Sequence, residues 1–205
     1  MPSLVRQLGL AIRPRLSYSR ANFLVHAGIA EAHAEIQRII DGNFYPVVSV
    51  VGERRSGKTH FAVHLTETLS EVHDSVYLFD GEQFRNVLLE SSGWNRSNGK
   101  RYFIVDDADR YLASLDDGES GALVRLIEEL RVQGGYLVFF RGVPLESYGF
   151  DDHLRSRFRS GMEWVIGDPD RSEVLPLLNL LCRQRGIRFP EKKLQYLSRR
   201  LGNSL

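Results

Sequence analysis

Residues 46–59 read PVVSVVGERRSGKT, and this stretch decides the fold. Its first six residues are apolar apart from one serine and predict a buried strand. Its last eight match the motif G-x-x-x-x-G-K-[ST] at every fixed position, which here are Gly52, Gly57, Lys58 and Thr59. The motif requires a strand before it and a helix after it, and a helical apolar spacing does follow, at Phe61, Leu65 and Leu69.

The chemistry of this P-loop motif is phosphate binding. The two glycines let the backbone bend so that successive N–H groups face a phosphate, and the helix N-terminus adds partial positive charge. Lys58 is expected to reach the β- and γ-phosphates of a nucleotide, and the Thr59 hydroxyl to ligate Mg²⁺. The alternative is a chance glycine turn before a helix, which the preceding strand disfavours.

Three further loop residues complete the predicted nucleotide contacts, namely Arg54, Arg55 and Ser56. The two arginines make this P-loop unusually basic. They either add contacts to the phosphates or face water.

Outward from the P-loop, strand patterns alternate with helix patterns. Further strands are predicted at residues 75–79, 102–105, 136–140 and 163–166, and helices near 29–40, 61–69, 84–88, 123–130 and 151–159. This alternation is typical of an α/β protein whose parallel sheet is covered by helices on both faces.

After Gly167 only helical patterns follow. Asp170 and Glu173 have the spacing of a capping box, Pro176 is expected to kink the helix that they start, and Pro190 opens a second helix. We therefore divide the chain into an extended arm (1–22), a nucleotide-binding core (23–167) and a partial helical lid (168–205).

Two carboxylates follow the strand predicted at 102–105. Asp106 is expected to anchor Mg²⁺ through water, and Asp107 stands where a general base orients the attacking water. Most hydrolases of this class carry glutamate in the second place, so the shorter Asp107 predicts slow hydrolysis. The alternative is a pair of solvated aspartates at a strand end.

The segment 154–158 reads LRSRF and lies between the fourth and fifth predicted strands. An arginine here, Arg157, can project from one subunit into a neighbour's nucleotide site and stabilise charge during phosphoryl transfer. The alternative is an ordinary basic helix face, which spacing alone favours.

Composition and charge restrict the class of protein. The chain has 205 residues with 27 basic and 26 acidic side chains, a net charge of +1, so direct DNA contact is not expected. The single cysteine, Cys182, allows no intramolecular disulfide and indicates a reducing compartment. No stretch approaches the ~18 apolar residues of a membrane span, and the N-terminus does not look like a signal peptide, so a cytoplasmic protein is expected.

From about residue 18 to 205 the chain resembles the DnaA family of AAA+ proteins. Five segments carry the resemblance: NFLV at 22–25, the P-loop, IVDD at 104–107, LRSRFRSG at 154–161 and RGIRFP at 185–190. The resemblance implies a three-layer P-loop AAA+ (ASCE) fold, with a five-stranded parallel sheet in the order 5-1-4-3-2 and a truncated small helical lid. It also implies that ADP or ATP binds with Mg²⁺, that Phe23 and Val25 pack on the adenine, and that Arg157 is the arginine finger.

Within this family the chain is most similar to Hda, a short relative without the DNA-reading domain of DnaA, and we expect no such domain after Leu205. Hda proteins begin with a clamp-binding peptide of the form QLxL, and Gln7, Leu8 and Leu10 stand in that place. An arm that packs on its own core is the alternative. The resemblance implies a regulator that binds the sliding clamp (the β subunit of DNA polymerase III), docks on ATP-bound DnaA and hastens hydrolysis of its ATP through Arg157.

Two further features depart from the family pattern. Gly142 falls at the end of the fourth strand, where the family carries an aspartate, and it has no side chain to sense a phosphate. The second sensor arginine of the lid is missing, because Arg199 and Arg200 precede the turn and do not match. The second sensor normally grips the phosphates, so its absence bears on nucleotide affinity.

Three other functions compete with the regulator. The first is a self-assembling ATPase of the helicase-loader type, a homo-oligomer in which Arg157 serves a copy of the same chain. The second is a small-molecule kinase, for which we find no acceptor-binding signature. The third is a scaffold that has lost nucleotide binding, which the intact Gly57, Lys58 and Thr59 disfavour.

Overall fold

The computed structural model describes residues 18–42, 45–90 and 99–201. In this part of the chain five strands form: β1 (Val47–Val51), β2 (Val76–Asp80), β3 (Tyr102–Asp106), β4 (Tyr136–Arg141) and β5 (Met162–Val165). The helices are α1 (Ala27–Asp41), α2 (Lys58–Ser70), α3 (Gly81–Leu89), α4 (Asp109–Ala113), α5 (Asp117–Gln133), α6 (Asp152–Ser160), α7 (Val174–Gln184) and α8 (Glu191–Arg200). Short 3-10 helices occupy Arg20–Asn22 and Leu145–Ser147.

The sheet is parallel throughout, and its strand order is β2-β3-β4-β1-β5. This confirms the predicted order 5-1-4-3-2, written from the other edge. At its carboxyl end β1 pairs Val51 with Arg141 of β4 and with Val165 of β5. The carboxyl ends of β1, β3 and β4 therefore meet at one edge of the sheet, where open α/β sheets bind ligands.

The side chains of the central strands alternate between two apolar clusters. One cluster joins the sheet to α3, α4, α5 and α6, and includes Phe103, Val105, Leu137 and Phe139. The other joins it to α1 and α2, and includes Tyr102, Ile104, Val138 and Phe140. Alternation with period two places helices on both faces, and each fully buried Val, Leu or Phe stabilises the fold by about 1.5–3 kcal/mol.

Local signals set several helix ends. Asp80 before α3 and Asp116 before α5 each form a capping box with the residue three positions later. Gly134 ends α5 in the left-handed conformation, with φ of 75°. Helix α4 has no counterpart in the sequence prediction, because five residues are too few for a helical period to show.

The start of the helical tail differs from its prediction. Glu173 reaches back to accept a hydrogen bond from the Asp170 N–H, but the residues between them form a turn and α7 begins only at Val174. The predicted helix start at Asp170 is therefore wrong. Pro176 consequently falls in the first turn of α7, where its missing N–H would have no intrahelical acceptor, so the expected cause of a kink is absent.

The tail joins the core where β5 ends. The Gly167 N–H donates to the Gly28 carbonyl oxygen at 2.8 Å, and the Glu173 carboxylate accepts from the Ala27 N–H at 2.9 Å. Helix α8 begins after Pro190, as predicted. Among the ranges described above, no helix is both long and apolar enough to cross a membrane. The division at residues 22/23 and 167/168 stays a prediction.

Candidate nucleotide-binding site

The loop between β1 and α2 has the backbone shape that phosphate binding requires. Gly57 stands directly before α2 with φ of 94°, a left-handed conformation that glycine adopts without steric cost. Arg55 also has a positive φ, 72°. A Cβ at Gly52 would collide with Ser56 Oγ and lie 3.1 Å from Ile166 Cβ, so a side chain there would displace the Ser56 hydroxyl and press on Ile166.

Lys58 folds back over the loop that precedes it. Its Nζ donates to the carbonyl oxygens of Gly52 and Glu53 at 2.7 and 2.8 Å. The ammonium charge and the N-terminus of α2 therefore meet at the mouth of the loop. This combination is what an anion site requires.

Thr59 and Asp106 bring a hydroxyl and a carboxylate together between α2 and β3. Burial raises the pKa of the Asp106 carboxyl, and the hydrogen bond from the Thr59 hydroxyl opposes that shift. Asp106 Oδ1 is buried and, within the described ranges, has no hydrogen-bond partner. Because Mg²⁺ prefers carboxylate and hydroxyl oxygens, these two residues fit the predicted metal site.

Asp107 leaves the sheet immediately after β3. Its φ is 49°, a left-handed conformation in which aspartate is enriched, and it is exposed. It lies one residue beyond Asp106 at the P-loop edge of the sheet. The general-base role of Asp107 stays a prediction.

A third carboxylate, Asp109, also lies at this edge and is absent from the sequence prediction. Its oxygens accept hydrogen bonds from the Gly142 N–H at 2.7 and 2.9 Å, the Val143 N–H at 3.2 Å and the Tyr148 hydroxyl at 2.7 Å. These donors are 33, 34 and 39 residues away along the chain, so no local pattern signals the contact.

The end of β4 is also tied to β5 and to the P-loop. The Arg141 side chain is fully buried, pairs with Glu163 of β5 and donates to the Val143 carbonyl oxygen. The Arg141 carbonyl oxygen accepts from the Gly52 N–H at 3.0 Å. The buried arginine is thus a structural anchor that sequence reasoning did not identify.

Comparison with known proteins agrees with this geometry, although no family model matches the sequence. The replication initiator DnaA of Thermus thermophilus is 24% identical over 208 residues, which are 95% of this chain and 48% of that protein. The chain therefore spans about half the length of the curated relatives that it matches. Domain III of Thermotoga maritima DnaA matches the fold with a TM-score of 0.69 at 21% identity, over 88% of this chain and 80% of that one. AMPPCP-bound DnaA of Aquifex aeolicus gives 0.71 at 16% identity, over 93% and 62%.

By sequence and by fold, this chain is similar to the AAA+ domain of DnaA.

The relation to DnaA removes the support for one expectation. A further similar structure is DnaA bound to AMPPCP and single-stranded DNA, with a TM-score of 0.68 at 16% identity, and the expectation that this chain makes no direct DNA contact is not supported. Net charge also conceals an uneven distribution: residues 23–167 carry 15 basic and 22 acidic side chains, and residues 168–205 carry 8 and 4.

Phe23 and Val25, at the start of the predicted core, are the residues that the DnaA resemblance places on the adenine. The Phe23 ring stacks on the rings of His64 and Phe61, with centroid distances of 4.2 and 5.6 Å. Val25 is 42% exposed. The structure thus places Phe23 against α2, the helix that follows the P-loop, and the adenine contact stays a prediction.

Helix α2 also contacts two residues just before Phe23, Tyr18 and Arg20. The Tyr18 ring packs edge-on against His60, with centroids 4.5 Å apart. The Arg20 N–H donates to Glu67 at 2.6 Å, and its guanidinium pairs with Glu71. With the Phe23 contact, residues 18–23 cover a face formed by His60, His64 and Glu67 of α2 and by Glu71, which directly follows the helix.

Arg157, the predicted arginine finger, lies on α6 and contacts its own chain. Its Nη2 is 3.2 Å from Glu128 Oε1 of α5, and its Nη1 donates to the His153 carbonyl oxygen at 3.1 Å. Its side chain is 26% exposed. A partly exposed ion pair contributes only about 0–1 kcal/mol, so it does not fix the side chain in this position. The finger role stays a prediction.

The remaining arginines discussed in the sequence analysis lie at the surface. Arg54 and Arg55 are exposed, and so are Arg199 and Arg200 on α8, where the Arg200 guanidinium lies 5.5 Å from the Tyr196 ring centroid. The clamp-binding residues predicted at the N-terminus, Gln7, Leu8 and Leu10, lie outside the described residues.

Proposed function

We propose that this chain binds ADP or ATP with Mg²⁺ at the P-loop and serves in the cytoplasm as an Hda-like regulator of replication initiation. The nucleotide part is carried by the convergence of Lys58, Thr59 and Asp106 at one edge of the sheet, where Asp106 Oδ1 has no hydrogen-bond partner among the residues that the structure describes. The similarity to DnaA, including an AMPPCP-bound DnaA, supports an adenine nucleotide and a role in replication initiation.

Each residue has a defined task in this proposal. Lys58 exchanges the carbonyl oxygens of Gly52 and Glu53 for nucleotide phosphate oxygens, to which its charge is better matched. Thr59 and Asp106 would hold Mg²⁺, which supplies neutralisation of phosphate charge. Asp107 orients water, and because its side chain is one methylene shorter than glutamate, the chain's own hydrolysis is slow. The bound nucleotide then acts mainly on the shape of the protein.

The regulatory part of the proposal depends on Arg157. Docked on ATP-bound DnaA, the chain would insert Arg157 beside the phosphates of that partner, where an arginine finger accelerates hydrolysis by about 10³–10⁵-fold. To reach outward, Arg157 must leave Glu128, and the weakness of such pairs keeps the free energy of this exchange small. The peptide with Gln7, Leu8 and Leu10 would hold the chain on the sliding clamp, near its target.

The test is hydrolysis of labelled ATP bound to DnaA, on DNA loaded with sliding clamps, with and without this chain. The matched variants are Arg157→Ala against Arg159→Ala, which removes an exposed arginine two residues further along α6. We expect the wild type and Arg159→Ala to accelerate hydrolysis and Arg157→Ala to lose at least ~100-fold of that acceleration. A second pair, Gln7→Ala against Arg13→Ala, tests the clamp peptide in the same assay.

Two outcomes would replace the regulator. If the chain leaves the hydrolysis of DnaA-bound ATP unchanged, the Hda-like role is wrong. If the chain alone hydrolyses ATP at a rate that rises steeply with its concentration, and Arg157→Ala abolishes this, it is a self-assembling ATPase of the helicase-loader type.

A further inference from the structure

The carboxylate of Asp109 fills the place where Gly142 lacks a side chain. A Cβ on Gly142 would lie 3.3 Å from Asp109 Oδ2 and 3.7 Å from the Gly52 carbonyl oxygen. The position just after β4 therefore borders both the Asp109 carboxylate and the first glycine of the P-loop. Any side chain at position 142 would require the carboxylate to move.

The Asp109 carboxylate accepts hydrogen bonds from the segment after β4 and not from its own helix. An aspartate in the first turn of a helix commonly interacts with the helix dipole. Here the bonds that its carboxylate accepts come from Gly142, Val143 and Tyr148, all outside α4. Hydrogen bonds to an ionised carboxylate are roughly twice as strong as those between neutral groups.

These bonds extend the connection between β3 and β4 beyond the sheet. The last paired residues of the two strands are Val105 and Phe139. The Ala108 N–H then donates to the Phe140 carbonyl oxygen at 3.0 Å, and Asp109 continues to Gly142. The turn that carries Asp107 is therefore fastened to the end of β4.

The same strand end supports the P-loop. Its Arg141 carbonyl oxygen accepts from the Gly52 N–H at 3.0 Å, and the Gly52 carbonyl oxygen accepts from Lys58 Nζ at 2.7 Å. On the other side, the Arg141 side chain is anchored by Glu163. A displacement of residues 141–143 would therefore pass directly to Gly52 and Lys58.

We propose that Asp109 is a positioning residue of the nucleotide site. Its carboxylate, in the place of a side chain on Gly142, fixes the end of β4 and through it the start of the P-loop. Asp109 acts through Gly142 and Gly52, without contact to the nucleotide. This inference rests on the proposed nucleotide binding.

The test is a double-mutant cycle on the full chain, read as affinity for fluorescent ADP and for AMPPCP. We expect Asp109→Ala to weaken both affinities about tenfold, and Gly142→Ala to weaken them several-fold because its Cβ presses on the carboxylate. In the Asp109→Ala background the carboxylate is gone, so Gly142→Ala should have no further effect. Asp109→Asn, which keeps an acceptor oxygen for the Gly142 N–H, should recover part of the affinity.

The control is Asp117→Ala, which removes an exposed carboxylate from the first turn of α5 and should leave affinity unchanged. Thermal melting identifies any variant that fails to fold, and the Asn variant then carries the comparison. The inference is wrong if Asp109→Ala binds as tightly as the control, or if Gly142→Ala weakens binding equally in both backgrounds. If the wild type binds neither nucleotide, the proposed nucleotide binding itself is wrong and the inference falls with it.

Discussion

Individual side chains at the P-loop edge already hold the polar partners that a nucleotide and a metal would replace. Lys58 Nζ donates to two carbonyl oxygens of its own loop, and the Thr59 hydroxyl donates to the Asp106 carboxylate. Local hydrogen bonds therefore keep the charged groups at the site in place. The carboxylate of Asp109 does the same for the end of β4.

At the scale of one residue, we expect Lys58→Ala to abolish nucleotide binding while the fold persists. The lost ammonium would supply charge-assisted bonds to phosphate, so affinity should fall by at least ~100-fold. Titration with fluorescent ADP measures this, with Lys100→Ala, an exposed lysine, as the control. Affinity within about threefold of the wild type would show that the P-loop is not the site.

Helix α2 has two roles, because its N-terminus completes the P-loop and one of its faces contacts residues 18–23. That face carries His64, which packs under Phe23 and has its Nε2 2.9 Å from Nε2 of His33. Burial lowers the pKa of His64 to about 4, and the neighbouring His33 and Arg20 act in the same direction. Phe23 therefore packs on a histidine of α2 that stays neutral in the folded protein near pH 7.

The stability of the fold should consequently decrease through His64 as the pH is lowered. Below about pH 6.5 the unfolded chain takes up a proton at this position, while the folded chain does so only near pH 4. Between about pH 7 and 4.5 this group should lower the free energy of unfolding by about 1–3 kcal/mol. Urea unfolding of wild type and His64→Phe, compared across this range, measures the contribution as the difference between their pH profiles. Identical profiles would contradict it.

A second prediction at this scale concerns the start of α5. The Asp116 side chain accepts from the Glu119 N–H at 2.8 Å, and the Glu119 carboxylate in turn accepts from the Asp116 N–H. Asp116→Ala should cost about 0.5–2 kcal/mol of stability because a cap is lost. Asp117→Ala, the next residue, loses only a favourable dipole interaction and should cost less. Chemical denaturation of both variants decides it, and equal losses would mean that the capping box contributes nothing.

The fold is stabilised by the two apolar clusters, one on each face of the sheet. Phe139 of β4 connects the sheet to two helices of one apolar cluster. Its ring packs edge-on against Phe84 of α3 at 5.8 Å and stacks on Phe158 of α6 at 5.4 Å. Since α6 also carries Arg157, the core sets the position of the predicted arginine finger.

We therefore expect Phe139→Ala to destabilise the entire fold. Removing a fully buried phenylalanine leaves a cavity and costs about 3–5 kcal/mol, a large part of the roughly 5–15 kcal/mol typical of a domain. The control is Val132→Ala, at a position that is 87% exposed and should change stability by less than ~0.5 kcal/mol. Thermal and urea unfolding compare the two variants. A small loss for Phe139→Ala would mean that the cluster repacks around the gap.

The sequence by itself determined the strand, glycine loop and helix of the P-loop, the two aspartates at the end of β3 and the alternation that gives a parallel sheet. These features are local: each depends on residues a few positions apart, so periodicity and motif spacing reveal them. The strand order came from the resemblance to DnaA, and the structure confirms it. The start of α7 was misjudged because Glu173 caps a turn and not the helix.

Only the tertiary structure decided how the end of β4 is built and where residues 18–23 lie. Asp109 accepts hydrogen bonds from Gly142 and Tyr148, which are 33 and 39 residues away along the chain. Arg141 pairs with Glu163, 22 residues away, and the Phe23 ring stacks on His64, on the other side of the P-loop in the sequence. Such contacts join groups whose separation along the chain has no fixed period. They form because the sheet brings the ends of distant strands to one edge, where buried charges and unpaired backbone groups must find each other as partners.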